Sequence, residues 1–543
     1  MSQELKVPQV PRWVALLCLL TLVLGVENHD LWTPDEPREA AIALEMANGS
    51  DWLIPRLAGV PFVEKPPLYY WLSGGTILLS ENLISPTAAA RGLSALAAAG
   101  CLVMLYLTCR PCLGKKSALA AVLILTTSYG LWRGAHWIII DTLLSFFVSS
   151  AIFLLFLGLD RKNLPAILLG YLSGAAAFLT KGPVAWTLLF YPWLLIYILY
   201  RREVKEHIPR HLAGLLLLVG PVLAWAWLFR ERAGEELWRV WFWDNQLGRF
   251  LGTSTHLGNI KGPLYYFWLL PLILLPWTPG LVGWFLGRGW RNLPEYDRSQ
   301  RNLILVSLAW LFGGFLILSL SGTKREPYLY PLLPAAAVIA MEGIRVGPKL
   351  VRKSLLGLSL VYALPLLIFS FFSLDWSNNQ ILARLTIQPV AVLAFLIAGL
   401  AFARLKDRPL ALTSAITALL YLSFVLLACP TLNKVWSYRP AVEVLTGAIP
   451  SGYENRVAVW GSDEATLGSF SFYSNLNLTE LPDGDPELLA RILRGGDRRY
   501  PLIVIPRYDR FKSEAENYPP WKLLASKRRG EHRVFALIAP RSF

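Results

Sequence analysis

Asp35, Glu36, Arg38 and Glu39 crowd into the stretch TPDEPREA, residues 33–40, with Pro34 and Pro37 between them. Further along the chain come Glu64-Lys65, Asp141, Lys181, His256 and Lys324-Arg325. These residue types suit one kind of chemistry. A carboxylate can stabilise an oxocarbenium-like carbon or activate an acceptor. Lys and Arg can clamp a phosphate and hold it as it leaves. Together they could move a sugar off a phosphate. Taken singly, each has a plainer use: Arg38 or Lys65 as a boundary anchor, Asp141 as the polar end of the run Ile138–Ile140, His256 as a loop residue. No Walker A loop, GxGxxG fingerprint or HExxH pair occurs, so nothing in the sequence points to ATP, NAD or metalloprotease chemistry.

The elements that would position these residues are membrane helices. The chain has 543 residues, 55% of them apolar, and a mean hydropathy of +0.44. Many runs reach the roughly 17–25 apolar residues that a helix needs to cross a bilayer. An α-helical polytopic membrane protein is expected. The net charge of +15 does not point to nucleic acid, because much of the excess sits in short loops between apolar runs, where it reports orientation. The five cysteines, Cys18, Cys101, Cys109, Cys112 and Cys429, lie in or beside apolar runs. They form neither a zinc pattern nor a disulfide framework.

The loops 110–116, 159–163, 201–210, 287–301, 345–353 and 404–408 hold 20 Lys/Arg and 6 Asp/Glu. The positive-inside rule puts them on the cytoplasmic side with the N-terminus. Loop 28–87, with 8 Asp/Glu and 3 Lys/Arg, then lies on the opposite face. An odd number of crossings must separate it from 110–116, and the run 88–109 supplies one. Residues 66–82 begin with Pro66-Pro67 and carry Tyr69, Tyr70 and Trp71. They are read as a helix at the interface, not a span. The remaining crossings are expected at 117–134, 143–159, 164–180, 184–200, 211–229, 264–286, 302–320, 327–344, 354–373, 388–403 and 410–428. With the first helix the count is about 13, which leaves the C-terminus outside. Residues 430–543 differ in kind: β-like runs at 457–460, 502–505 and 534–538 and a helical run at 486–493 predict a small soluble α/β domain. The expected division is therefore 1–429, a transmembrane catalytic domain with 28–87 as its first outer loop, and 430–543.

Three motifs of the first loop resemble a known family. Asp35-Glu-Pro-Arg38, Asp51-Trp-Leu-Ile-Pro-Arg56 and Glu64-Lys-Pro-Pro-Leu-Tyr-Tyr-Trp71 are similar to the first extracytoplasmic loop of bacterial C-type (GT-C) glycosyltransferases. The likeness is nearest to the aminoarabinose transferases that modify lipid A, within the protein-mannosyltransferase-like superfamily. Asp141, Thr180-Lys-Gly182, Phe242-Trp243 leading to Arg249-Phe250, His256 before Pro263-Leu-Tyr-Tyr266, and Lys324-Arg-Glu-Pro-Tyr328 follow in order. The likeness is strong over residues 10–340 and one of layout beyond.

The resemblance implies a GT-C fold of 13 transmembrane helices, interfacial helices in the first periplasmic loop and a periplasmic C-terminal domain. It implies an undecaprenyl-phosphate-linked 4-amino-4-deoxy-L-arabinose donor and a lipid A phosphate acceptor, at the inner membrane of a Gram-negative bacterium. That modification confers resistance to polymyxin and cationic antimicrobial peptides. Carried over by motif, Asp35 is the key acid, with Asp141 as a second acid and Glu36 as a supporting neighbour. Arg38 and Lys65 would hold the donor phosphate with Tyr328 near it, and Lys181 and Lys324 join them as cations on the same face. Glu64 and His256 match positions where a family member can bind zinc or another divalent metal. Two protein ligands make a weak site, so such a metal is read as structural or incidental. A monomer is expected, with membrane lipids around it and no nucleic acid.

One departure stands out. Family members commonly carry Tyr after the Arg of the first motif, where this chain has Glu39. That acid is expected near the sugar amine or facing solvent, and it leaves sugar and acceptor specificity open. Other polyprenyl-phosphate-sugar transferases, acting on proteins or on the lipopolysaccharide core, would share the first loop. A lipid or polysaccharide transporter is the reading from another class, although no internal repeat supports it.

Overall fold

The computed structural model describes residues 10–543 apart from 81–82, 252, 254–259, 348, 373–393, 395, 406–407, 475, 477, 482–484, 496–498 and 530–532. The chain packs as two compact units. One comprises Met1–Val26, Glu64–Tyr69 and Gly92–Leu427; the other comprises Glu27–Val63, Tyr70–Arg91 and Ala428–Phe543. The first loop, expected with the transmembrane part, therefore groups mostly with the C-terminal segment.

The first unit is built of apolar helices. Seven described helices are long and apolar enough to cross a membrane, and a bent pair would make eight. The protein is thus a multi-pass membrane protein. The helix Pro86–Thr126 is broken at Gly114, whose φ of +81° falls inside the expected loop 110–116 and suits a residue without a Cβ. Ile140–Asp160 packs along Leu164–Lys181, and Arg298–Leu320 along Val184–Leu199. These helices are buried on several sides, with Phe153, Phe156, Leu188, Trp310 and Leu318 in one shared core.

The expected crossing 264–286 is not one straight helix. Tyr265–Ile273 and Thr278–Leu286 meet at 110°. Pro271 lies within the first of these helices and Pro276 between the two, so two backbone donors that a straight helix would use are missing. Residues 388–393 and 395 of the expected crossing 388–403 lie outside the described residues, and Leu396–Leu405 is a short apolar helix.

Local signals set the ends that matter for chemistry. Asn163 caps Leu164–Lys181 by accepting from the Ala166 N–H, with Pro165 in the first turn. The same helix stops at Gly182, which has a φ of +79°. It thereby delivers Lys181 at its last position.

The second unit centres on a five-stranded sheet: β3 (Val457–Trp460), β4 (Thr479–Leu481), β5 (Leu502–Ile505), β6 (Trp521–Arg529) and β7 (Arg533–Pro540), ordered β4-β3-β5-β7-β6. The first loop forms a small ribbon of its own, β1 (Arg56–Leu57) and β2 (Val60–Pro61). β3 runs parallel to β4 and β5, and β7 antiparallel to β5 and β6. The runs at 457–460, 502–505 and 534–538 and the helix Pro486–Leu493 stand where the sequence placed them.

Against this sheet domain lies the helix Glu36–Ala47 of the first loop, packed on Glu464–Ser474. Gly468 makes the approach possible: a Cβ there would stand 2.7 Å from the Pro37 carbonyl. The helix Leu68–Leu79 also packs close, since a Cβ at Gly74 would meet the Ala43 carbonyl oxygen at 3.2 Å. Its 12 residues are too few to cross a bilayer, while Leu72, Leu78 and Leu79 are exposed.

Candidate functional site

In the membrane unit the charged residues collect around Tyr328. The turn Glu326–Leu332 carries it, and its ring lies 3.9 Å beneath the Lys181 ammonium. Lys181 is ion-paired with Asp141, the second residue of Ile140–Asp160. Asp141, Arg325, Arg249 and Lys65 all stand within electrostatic reach of the Tyr328 phenol. Arg249 is ion-paired with Glu64, whose other oxygen faces the Lys65 ammonium at 3.7 Å. The Gln246 amide donates to the Glu64 carbonyl at 3.1 Å and holds that stretch of backbone. Four cations (Lys65, Lys181, Arg249, Arg325) thus gather with two carboxylates (Asp141, Glu64). A surplus of positive charge among half-buried groups suits a phosphate better than a cation.

Of the residues singled out from sequence, Asp141, Lys181, Glu64, Lys65 and Tyr328 come together here. Lys324, expected among the phosphate-binding cations, is engaged with backbone carbonyls. It is 3% exposed, and its ammonium donates to the carbonyls of Ser321 and, at 3.0 Å, Lys261. It ties two loops instead.

Arg249 carried no role from the sequence beyond its place in a motif. Its pairing with Glu64 spans 185 residues, which no local pattern could signal.

His256 lies outside the described residues. Among the described residues no group of three His, Cys, Asp or Glu could hold a metal. Glu64 is already matched by two cations, so a divalent ion bound to it would displace Arg249 and meet Lys65. Among the described residues, the surroundings of Glu64 do not fit a metal.

In the second unit a second cluster surrounds Arg38. Its guanidinium reaches Asp35 at 3.1 Å, Glu39 at 2.6 Å and Glu464 at 2.5 Å. The remaining Glu39 oxygen accepts from the Tyr70 hydroxyl at 2.6 Å. Glu39 is therefore neither solvent-facing nor unengaged: it is 2% exposed and braces Arg38. With three carboxylates on its fork, Arg38 is better suited to orient Asp35 than to clamp a phosphate. Asp35 is the most exposed acid on the loop side of this cluster, with 19% of its side chain accessible.

Glu36 has a different task. Its two oxygens accept from Arg91 at 2.8 and 3.1 Å, and one also accepts the Trp32 N–H at 3.0 Å. Burial pushes the Glu36 carboxyl up, but the charges of Arg91 and His29 and the Trp32 N–H outweigh it and leave it below the ordinary carboxylate value. Arg91 is fully buried and also donates to the carbonyls of His29 and Asp30. The sequence held a signal for this anchor: an arginine at the head of an apolar run needs a partner.

Residues 64–225 match the family described as dolichyl-phosphate-mannose-protein mannosyltransferase. The chain is 31% identical over 340 residues to an undecaprenyl phosphate-alpha-4-amino-4-deoxy-L-arabinose arabinosyl transferase of Pseudomonas aeruginosa (strain LESB58), covering 60% of this chain and 59% of that protein. It is 28% identical over 356 residues to the transferase of the same name from Aeromonas salmonicida (strain A449), covering 62% and 60%. The chain thus matches about three fifths of the length of these relatives. Its fold is that of ArnT from Cupriavidus metallidurans, crystallised with undecaprenyl phosphate: the TM-score is 0.76 at 21% identity, over 97% of this chain and 98% of that one. These likenesses support the C-type glycosyltransferase resemblance read from the first loop.

Proposed function

We propose that the protein transfers 4-amino-4-deoxy-L-arabinose from undecaprenyl phosphate to a phosphate of lipid A. It acts as a monomer in the inner membrane, with its chemistry and its C-terminal domain on the periplasmic side. The observation that carries this reading is the cation-rich cluster around Tyr328, in a chain whose relatives are named for that donor. The loop charges support the orientation.

In this reading Lys65, Arg249 and Arg325 hold the donor phosphate, and the Tyr328 hydroxyl donates to it. Asp141 fixes Lys181 over the Tyr328 ring. The anomeric C–O bond to undecaprenyl phosphate breaks, and the phosphate leaves with the electron pair. An oxygen of the lipid A phosphate forms the new bond at that carbon, with inversion. That acceptor is an anion at neutral pH and needs no strong base. Asp35 therefore serves by stabilising positive charge at the anomeric carbon and orienting the donor amine. Arg38, braced by Glu39 and Glu464, holds Asp35; Glu36 holds the helix behind it.

The test is the lipid A mass spectrum of a strain lacking its own transferase, with and without this chain. An added aminopentose is the expected result. Unchanged lipid A alongside newly glycosylated protein would favour a hydroxyl acceptor, a reading that the match at 64–225 supports. Asp35 would then have to take a proton.

A further inference from the structure

We infer that Arg133 and Glu326 form a positioning pair for the site around Tyr328, setting the turn on which that tyrosine sits. The inference rests on the reading of that cluster as the donor-phosphate site.

Arg133 lies in the last turn of the helix Tyr129–His136, and Glu326 opens the turn Glu326–Leu332. The Arg133 guanidinium donates to one Glu326 oxygen at 2.6 Å and to the Tyr330 hydroxyl at 3.4 Å. Tyr330, which is fully buried, donates to the other Glu326 oxygen at 3.1 Å. The three side chains close a ring that joins two elements, with Arg133 and Glu326 lying 193 residues apart in the chain. The two charged side chains are 23% and 24% exposed, well short of the open solvent in which ion pairs contribute little.

The short helix is fitted to this task. A Cβ on Gly134 would lie 2.6 Å from the Thr142 hydroxyl and 3.2 Å from the Tyr330 ring; one on Gly130 would lie 3.3 Å from the same ring. The Thr142 hydroxyl donates to the Gly134 carbonyl at 2.9 Å. The helix thus rests on both the residue after Asp141 and the Tyr330 ring. One residue before Glu326, the Tyr266 hydroxyl accepts the Arg325 N–H at 3.1 Å and donates to the Arg325 carbonyl at 3.0 Å. Tyr328 sits between these two fixed points, with Lys181 over its ring. Loss of the ion pair releases one of them. The pair acts through Tyr328, which makes it a positioning pair and not a catalytic one.

The experiment uses the full-length protein in detergent and undecaprenyl phosphate as the probe, with binding followed by tryptophan fluorescence and folding by thermal melting. Arg133→Ala and Glu326→Gln are each expected to weaken binding about tenfold, with the double variant no weaker than either single one. Arg133→Lys, which keeps the charge but not the fork, should recover part of the loss. A merely structural pair would lower the melting temperature and leave the affinity of the folded protein unchanged. Wild-type affinity in folded Arg133→Ala overturns the inference; if that variant does not fold, wild-type affinity in Glu326→Gln does so. Wild-type protein that fails to bind undecaprenyl phosphate overturns the donor reading itself and the inference with it.

Discussion

Asp35 and its neighbours show how little a residue's charge reveals about its work. Four charged groups within residues 35–39 divide into three tasks. Asp35 keeps the accessible carboxylate, Arg38 and Glu39 orient it, and Glu36 is locked to Arg91. Asp35→Asn keeps the shape and removes the charge, so it should cut transfer on the order of 10²-fold or more with the melting temperature little changed. Wild-type turnover in a membrane transfer assay would remove Asp35 from the mechanism. Lys65→Ala and Arg249→Ala should each weaken donor binding. Arg249→Ala should also release Glu64, so its effect and that of Glu64→Gln should not add. An additive double variant would mean that the Glu64–Arg249 pair is incidental.

At the scale of elements, the helix Glu36–Ala47 is held at both ends of its first turn. Arg91 grips Glu36, and Gly468 lets the helix Glu464–Ser474 close on Pro37 and Arg38. Gly468→Val should overpack this contact and destabilise by about 1–3 kcal/mol, with loss of activity that tracks the loss of fold. Glu36→Gln leaves a buried Arg91 without its counter-charge, a change that costs about 3–5 kcal/mol in comparable buried pairs. Because the Glu36 carboxyl is held below its ordinary value, its contribution is fully present above the unfolded carboxylate range. It fades as pH falls through the lower folded value. The melting temperatures of wild type and Glu36→Gln should therefore differ most at neutral pH and converge in acid. A constant difference down to low pH would mean that Glu36 does not carry its charge in the folded state.

For the whole molecule, the grouping of the first loop with residues 428–543 has a direct consequence. A chain cut after 436 keeps the apolar helices, the last of which ends at Trp436, but loses Glu464 and Gly468, the partners of the first-loop helix. It should still insert in the membrane, yet lose transfer, and the segment around 36–47 should become open to protease. Retained activity in the truncated chain would show that the C-terminal domain is dispensable.

The polytopic helical class, the short sheet strands and the helix Pro486–Leu493 were all legible in the sequence. Each follows from a local property: hydropathy over a bilayer's width or periodicity within a run. Lys65, Asp141, Lys181 and Tyr328, which the family resemblance and the charge pattern single out in the sequence, lie together in the structure. The bend between Tyr265–Ile273 and Thr278–Leu286, the burial of Lys324 among carbonyls, the bracing of Arg38 by Glu39 and Glu464, and the Arg133–Glu326 pair were not legible there. A sequence states which groups are charged and roughly which compartment they face. Which charge neutralises which depends on side chains brought within about 3 Å by helices far apart in the chain, and only the tertiary packing decides that.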